Sequence, residues 1–339
     1  MEAFYLTRYG ESAKAFERRE LKLPPPAENQ VLVSVEAFGL NFADVMARMG
    51  LYKEAPPLPA ILGYEVVGRV EKTGSAAVPF SPGQRVIAFT RFGGYATHAL
   101  TDFRAVVAIP EDMETGHAAA LATQYCTAWY AAEECMRLHA GEHVLVQAAA
   151  GGVGTALVQL AKYRDCTVYG TAGSDEKFEY LRRIGVDFPV NYNKEKFDEA
   201  IRRIRKGKGV DVVFDSIGGK VFKQGFRLLE PGGKIAGYGA AQRLEKRNIF
   251  SLLGLVFGFG FYNPIGLLQP SKSIIGINML RIADHRPDLL QRCLGEVARL
   301  SEAGIFKPQT GAVFAANELA QAHDFLGSRR STGKIVVKW

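Results

Sequence analysis

Six small residues, Ala149-Ala150-Gly151-Gly152-Val153-Gly154, carry the sharpest chemistry in this chain. They follow an apolar strand-like segment at 143–147, HVLVQ, and open a helical pattern at 153–162. The run is G-x-G-x-x-G with alanine in the first glycine position. Tiny side chains suit this place because the turn is tight and its backbone must approach a pyrophosphate. Ala149, Gly152 and Val153 build the turn, Gly151 lets a ligand approach, and Gly154 lets the helix pack against the strand. The helix start then offers N–H groups and a partial positive charge to an anion. The turn therefore predicts a dinucleotide site. A glycine-rich connection in an unliganded domain is the bland alternative, and the strand before and the repeated units after weigh against it.

The end of the next strand bears on which dinucleotide. It reads Thr171-Ala172-Gly173-Ser174, without the acid that usually holds a ribose 2′-hydroxyl. Asp175 and Glu176 follow, where a helix start favours acids in any case. Lys177 lies one turn in and reaches toward a 2′-phosphate, to which Gly173 and Ser174 can donate hydrogen bonds. Tyr192, just after the third strand, can flank adenine or phosphate. NADP is favoured over NAD, with a plain solvated lysine as the other reading of Lys177. Further along, Asp215-Ser216-Ile217-Gly218 and Gly237-Tyr238-Gly239 end two more strands. That edge of a parallel sheet faces ligand, so Ser216, Gly237, Tyr238 and Gly239 join the expected cofactor-binding set.

These pieces need a scaffold. At 339 residues the chain is long enough for about two domains. Apolar residues make up 47% and charged residues 23%, which excludes wholesale disorder. The net charge of +7 is too small for its length to argue for nucleic acid. Cys126, Cys135, Cys166 and Cys293 contain no C-x-x-C pair, so a zinc knuckle and a disulfide framework are not expected. Reduced thiols and an N-terminus without an apolar core predict a cytoplasmic protein. Residues 1–120 read as β-rich, with Val31, Val33 and Val35 at strand spacing. The alanine-rich stretch 118–136 predicts one long helix. From 143 to 238 strands alternate with helices, which predicts an α/β fold: a doubly wound parallel sheet covered on both faces. After residue 270 two amphipathic helices, at 289–303 and 318–326, and a final strand at 334–338 return to the first domain.

With these motifs in place the chain resembles the medium-chain dehydrogenase/reductase superfamily, in its zinc-free quinone oxidoreductase branch. The resemblance rests on Gly39-Leu40-Asn41-Phe42-Ala43-Asp44, Arg48-Met49-Gly50-Leu51-Tyr52, Gly63-Tyr64-Glu65-Val66-Val67-Gly68 and Gly93-Gly94-Tyr95-Ala96. The turn at 148–154, Asp215-Ser216-Ile217-Gly218-Gly219 and Gly333-Lys334 complete it. Lys246-Arg247-Asn248 followed by Asn263-Pro264 is most similar to the vesicle-amine-transport-like (VAT-1) subgroup. The resemblance implies a GroES-like, barrel-like catalytic domain (1–122 and 269–339) interrupted by a Rossmann domain (123–268). It implies NADPH as hydride donor and a homodimer. It also implies Asn41, Tyr52 and Thr127 near the nicotinamide. Lys334 is expected to reach a cofactor phosphate.

The departure from the metal-dependent members matters. Asn41 lies near the place of a zinc-ligand cysteine, and Tyr64 replaces a ligand histidine. Tetrahedral zinc needs several N or S ligands, so hydride transfer has to serve an already electrophilic acceptor, a quinone or an α,β-unsaturated carbonyl. Three readings of Tyr52 stand: hydrogen bond to the acceptor oxygen, proton donor, or aromatic plug. Asn41 is read as orienting the carboxamide or the substrate. Asp44 and Arg48, at i and i+4, read as a structural pair, and Glu65 as buried and structural. Two alternatives to the reductase remain: an enoyl-thioester reductase, and a weakly catalytic NADPH-binding protein at membrane surfaces.

Two stretches lie outside this scheme. Residues 249–268 carry no charge. They read as a lid or dimer element, with peripheral membrane contact or a bilayer span as alternatives. Arg202, Arg203, Arg205, Lys206 and Lys208 end a helix, where cations are favourable without any partner.

Overall fold

The computed structural model describes residues 1–75, 78–241 and 258–339. Lys246, Arg247, Asn248 and the first part of the uncharged run, 249–257, lie outside the described residues. The chain forms two compact units, Met1–Cys126 with Met279–Trp339, and Thr127–Asn278. The resemblance implied divisions after 122 and 268, four and ten residues earlier in the chain.

The first unit begins with β1 (Glu2–Leu6), β2 (Phe16–Glu20), β3 (Gln30–Leu40), β4 (Ala60–Ile61), β5 (Glu65–Thr73), β6 (Arg85–Phe89), β7 (His98–Asp102) and β8 (Val106–Ala108), with α1 (Phe42–Arg48) after β3. The second unit holds β9 (His143–Val146), α2 (Gly152–Tyr163), β10 (Thr167–Ala172), α3 (Phe178–Ile184), β11 (Phe188–Asn191) and α4 (Phe197–Ile204). It continues with β12 (Val210–Asp215), α5 (Gly219–Leu228), β13 (Leu229–Gly237), α6 (Pro264–Leu268) and β14 (Ser273–Gly276). The chain then returns to the first unit with α7 (Pro287–Glu302), β15 (Thr310–Ala315), α8 (Leu319–Gly327) and β16 (Lys334–Lys338).

In the first unit a seven-stranded sheet runs β15-β16-β3-β5-β6-β8, with β7 also on β3, and β2-β1-β4 form a smaller sheet. The valines of β3 are buried as their spacing implies, Val31 and Val33 completely. β16 pairs antiparallel with β3, Ile335 opposite Leu40, so the C-terminal strand completes a sheet begun three hundred residues earlier. Trp339 stacks on Phe4 at 5.2 Å, and Phe38 packs on Tyr95 at 4.6 Å. Buried aromatics of this size supply much of a core's apolar area. His323 sits in the same core with its ring 3.1 Å from the Tyr95 hydroxyl. Burial pushes its pKa down to about 3, so it stays neutral.

The second unit is a parallel sheet in the order β11-β10-β9-β12-β13-β14. Numbered within the unit this is 3-2-1-4-5-6, the doubly wound order of dinucleotide-binding folds. The buried core residues of β9, β10 and β12, among them Leu145, Tyr169 and Val213, come from strands covered on both faces.

The stretch expected as one helix is a chain of four turns of two kinds. Thr115–Ala120 and Cys126–Trp129 are α-helical, while Leu121–Tyr125 and Tyr130–Met136 are π-helical, ending at left-handed Arg137. Alanine content records helix propensity, not hydrogen-bond period, so the wider turns were invisible in composition. π turns recur at functional positions, and Thr127 falls between the two.

Candidate functional site

The C-terminal edge of the parallel sheet gathers most of the expected cofactor residues. After β9 the chain passes Gln147 and Ala148 into the small-residue turn, and α2 begins at its N-cap, Gly151, with no side-chain cap. Thr171 at the end of β10 holds that turn. Its hydroxyl donates to Gln147 Oε1 at 2.7 Å and accepts from Ala148 N at 3.0 Å, and its carbonyl accepts from Ala149 N at 3.0 Å. The bonds secure Ala148 in a left-handed conformation (φ 51°) that a side chain disfavours by roughly 1–2 kcal/mol. Sequence reading missed Gln147 and Thr171. Their signal was polarity at the buried ends of two apolar parallel strands.

On the next strands, Gly173 and Ser174 follow β10, and Lys177 closes a short 3₁₀ turn, Asp175–Lys177, before α3. Burial lowers the Lys177 ammonium pKa. Tyr192 follows β11 and is 45% exposed. Ser216 follows β12, with its carbonyl accepting from Ala241 N at 3.1 Å, beside Gly239. Tyr238 N donates to Asp215 O at 3.0 Å, and burial raises the Tyr238 phenol. The Asp215 carboxylate is buried, accepts from Ile217 N at 2.9 Å and Gly218 N at 2.6 Å, and is pushed up to about 6 by burial.

A dinucleotide fits this edge on three counts. The start of α2 carries backbone N–H groups without a side-chain cap. A Cβ built on Gly151 meets only Ala148 O, at 3.3 Å, so the space above the turn is open. Gln147 Nε2, just after β9, and Asp215 Oδ2, at the end of β12, are buried with no hydrogen-bond partner among the described residues. Buried polar atoms left in that way call for an added partner.

The first unit holds a different constellation. Asn41 directly follows β3 and N-caps α1, its N–H donating to Asp44 Oδ2 at 2.8 Å. Its side-chain Nδ2 donates to both Glu65 oxygens, at 2.9 and 2.8 Å. Its Oδ1 accepts from Lys334 Nζ at 3.2 Å and from Gln124 Nε2 at 3.4 Å. Lys334 also pairs with Glu65, and both side chains are fully buried. Two expectations change here. Lys334 is not available to a cofactor phosphate, because its ammonium is sealed inside the unit on Glu65. Asn41 does not have a free amide for a carboxamide or substrate, because donors and acceptor are spent on the same cluster. Glu65 is fully buried, bonded to Asn41 and Lys334.

Asp44 and Arg48 likewise have other work. Asp44 also accepts from Gly63 N at 3.2 Å, and Arg48 donates to Gly10 O at 2.6 Å. Burial pushes the Asp44 carboxyl up to about 8, so it carries its proton at neutral pH. Tyr52 is partly buried and meets the buried Tyr64 edge-on, ring centres 6.3 Å apart. Burial pushes its phenol up to about 12. Thr127 is buried at the start of the second unit. Among the described residues no group of three or more His, Cys, Asp or Glu is arranged to hold a metal ion, and no helix is long and apolar enough to cross a membrane.

The fold and this edge define a Rossmann-type dinucleotide-binding unit, with a β-rich unit in the same chain. Residues 27–112 match the alcohol dehydrogenase GroES-like domain family, and residues 152–293 match the zinc-binding dehydrogenase family. The rat synaptic vesicle membrane protein VAT-1 homolog is 34% identical over 98% of this chain and 82% of its own length. The 2-haloacrylate reductase of a Burkholderia species is 30% identical over 94% of this chain and 93% of its own. Escherichia coli quinone oxidoreductase, solved in complex with NADPH, superposes with a TM-score of 0.86 at 26% identity, covering 100% of both chains. The chain belongs to the zinc-free medium-chain dehydrogenase/reductase family, with a GroES-like domain and a Rossmann domain. Membership makes it an oxidoreductase.

Proposed function

We propose that this protein is an NADPH-dependent, metal-independent reductase of quinones and α,β-unsaturated carbonyls, acting in the cytoplasm. The observation that carries the reading is the uncapped start of α2 at Gly151, flanked on one sheet edge by loops bearing Ser174, Lys177, Tyr192, Ser216 and Tyr238. The 2-haloacrylate reductase and the NADPH-complexed quinone oxidoreductase among the relatives support the acceptor class and the coenzyme.

NADPH, when bound, supplies the hydride. The chain's own residues bind, orient and exclude water. The backbone at Gly151 and Gly152 receives the pyrophosphate, with Ala149, Val153 and Gly154 shaping the turn. Gly173, Ser174, Lys177 and Tyr192 serve the adenosine end, and Ser216, Gly237, Tyr238 and Gly239 the remainder. Thr127 serves the nicotinamide end. Tyr52 keeps its proton, since burial pushes the phenol up to about 12. It therefore donates a hydrogen bond to the acceptor oxygen, and water delivers the proton to the product anion.

An NADPH-consumption assay over a benzoquinone, a simple enone and crotonyl-CoA tests this reading. Turnover of quinone and enone is expected, without added metal. Tyr52→Phe is expected to lower kcat/KM about fivefold, the worth of one hydrogen bond of about 1 kcal/mol. Below about pH 10 no loss of rate should trace to Tyr52, because a raised phenol remains protonated there. Turnover of crotonyl-CoA alone would assign an enoyl-thioester reductase. Tight NADPH binding without any turnover would assign a nucleotide-binding protein.

We also propose a homodimer. Phe261, Ile265 and Leu268 are 78%, 65% and 77% exposed and directly precede β14, the edge strand of the parallel sheet. An apolar cluster beside an open edge suits a second copy of the chain. Sedimentation should give twice the monomer mass. A monomer that co-floats with anionic liposomes would assign the cluster to a membrane surface instead.

A further inference from the structure

A run of ring contacts joins the loop that carries Tyr52 to the loop that follows β6. Tyr52 meets Tyr64 edge-on, and Tyr64 packs on Phe92 with ring centres 5.3 Å apart. The Arg91 guanidinium lies over the Phe92 ring, 5.4 Å from its centre. Backbone bonds seat this second loop beside Tyr64: Thr90 N donates to Tyr64 O at 2.8 Å, and Gly93 N donates to Ile61 O at 3.1 Å. Arg91 itself is left-handed (φ 60°), a conformation that persists in a residue with a side chain only where its surroundings impose it.

The surroundings are supplied by a short helix of the same unit, Met279–His285. Its Asp284 accepts from Arg91 Nε at 2.6 Å and from Arg91 Nη2 at 3.0 Å, a two-pronged pair that fixes the guanidinium plane. From the same helix Arg281 Nη2 donates at 3.1 Å to an oxygen of Glu54, two residues beyond Tyr52. The Asp284 and Glu54 side chains are only 24% and 21% exposed, which sets both pairs apart from fully solvated ones of negligible worth. One helix thus grips both loops that meet at Tyr52 and Tyr64.

Resting on the hydrogen-bond role given to Tyr52 above, we infer that Asp284 is a positioning residue of the reductase, holding Tyr52 in its donating orientation through Arg91, Phe92 and Tyr64. A hydrogen bond weakens steeply as its angle opens, so a phenol that must meet a substrate oxygen needs its ring held from the side. Tyr64 is that side wall and is itself buried. Phe92, behind it, is half-buried and carries the Arg91 guanidinium. Releasing Arg91 frees its strained backbone to relax, and Phe92 is the next residue in the chain. Tyr64 and then Tyr52 lose their support in turn. Supports of this kind, behind the group that meets the substrate, decide whether its geometry is held.

The test is steady-state reduction of a benzoquinone with NADPH by wild type, Tyr52→Phe, Asp284→Asn, Asp284→Glu and the Tyr52→Phe/Asp284→Asn double variant, with thermal melts to show that each is folded. Asp284→Asn is expected to lower kcat about threefold with KM within about twofold, the pattern of an interaction lost from the transition state. Asp284→Glu should recover most of the loss. In the double variant, Asp284→Asn should add less than about 1.5-fold to the loss from Tyr52→Phe, because both act through one hydroxyl. Arg91→Lys keeps the charge and gives up the fork; it should repeat the pattern, and it replaces Asp284→Asn if that variant does not fold. If Tyr52→Phe slows the enzyme but Asp284→Asn leaves kcat unchanged, or slows both backgrounds alike, the inference is overturned and the Tyr52 reading stands. A Tyr52→Phe enzyme as fast as wild type would remove the Tyr52 reading and the inference with it, and a wild type without turnover would remove the reductase reading as well.

Discussion

Gly151→Val is expected to leave the protein folded and to weaken NADPH binding at least about a hundredfold. The backbone at Gly151 has an ordinary extended conformation (φ −77°), and an added Cβ meets nothing closer than Ala148 O at 3.3 Å. Valine is therefore tolerated by the fold. Its methyl groups occupy the space through which a pyrophosphate must approach the start of α2. Losing two charge-assisted N–H contacts, each worth about 1.5–3 kcal/mol, corresponds to a factor of about a hundred or more. Gly154→Val should behave in the opposite way. Its Cβ would lie 2.5 Å from Ala148 O and 2.8 Å from Ala149 Cα, both backbone atoms. α2 would have to lift from the sheet, at a cost of at least about 1–3 kcal/mol. Thermal melts and nucleotide fluorescence titrations separate the two variants. A Gly151→Val protein that binds NADPH like the wild type, or a Gly154→Val protein that melts like it, contradicts this account of the turn.

The second large effect lies in the first unit. Lys334→Met should destabilise the protein by about 3–5 kcal/mol, the usual cost of leaving half of a buried ion pair behind. That is a large fraction of the stability of an ordinary domain. The apparent melting temperature should fall by about 10 °C or more. The reason is local. Glu65 would keep only Asn41 Nδ2 as a bonded partner from the cluster, with its charge sealed from water. Asn41 would lose an acceptor bond at the same time. Replacing both partners, Lys334→Met with Glu65→Leu, should recover much of the loss, because paired apolar replacements remove the orphaned charge. A Lys334→Met protein that melts within about 1 °C of wild type would show that the pair does not hold this unit together.

Much of the second unit was legible in the sequence because parallel strands covered on both faces are nearly pure apolar runs, and because a pyrophosphate turn tolerates few side chains. Ala149 to Gly154, Gly173, Ser174, Tyr192, Ser216 and Gly239 all fall at strand ends, where strand–helix alternation placed them. The first unit was harder. Lys334 looked like a phosphate ligand because a lone lysine near a chain end gives no sign of burial. Its partner Glu65 is 269 residues away, and only the pairing of β16 with β3 brings them together. Asn41 was read as orienting a carboxamide or the substrate, because its partners Glu65 and Lys334 lie far away in the sequence. Asp44 and Arg48 had helical spacing, but capping of α1 and the Gly63 N–H drew Asp44 to the helix start. Residues whose role is set by chain-distant partners leave no periodicity to read.

Titrating NADPH into protein dialysed against a chelator, with the heat measured directly, tests the central claim. The expected result is saturable binding at one nucleotide per chain, tighter than NADH and unaffected by the chelator. Absence of heat from folded protein, or binding that returns only when zinc is added back, would contradict it.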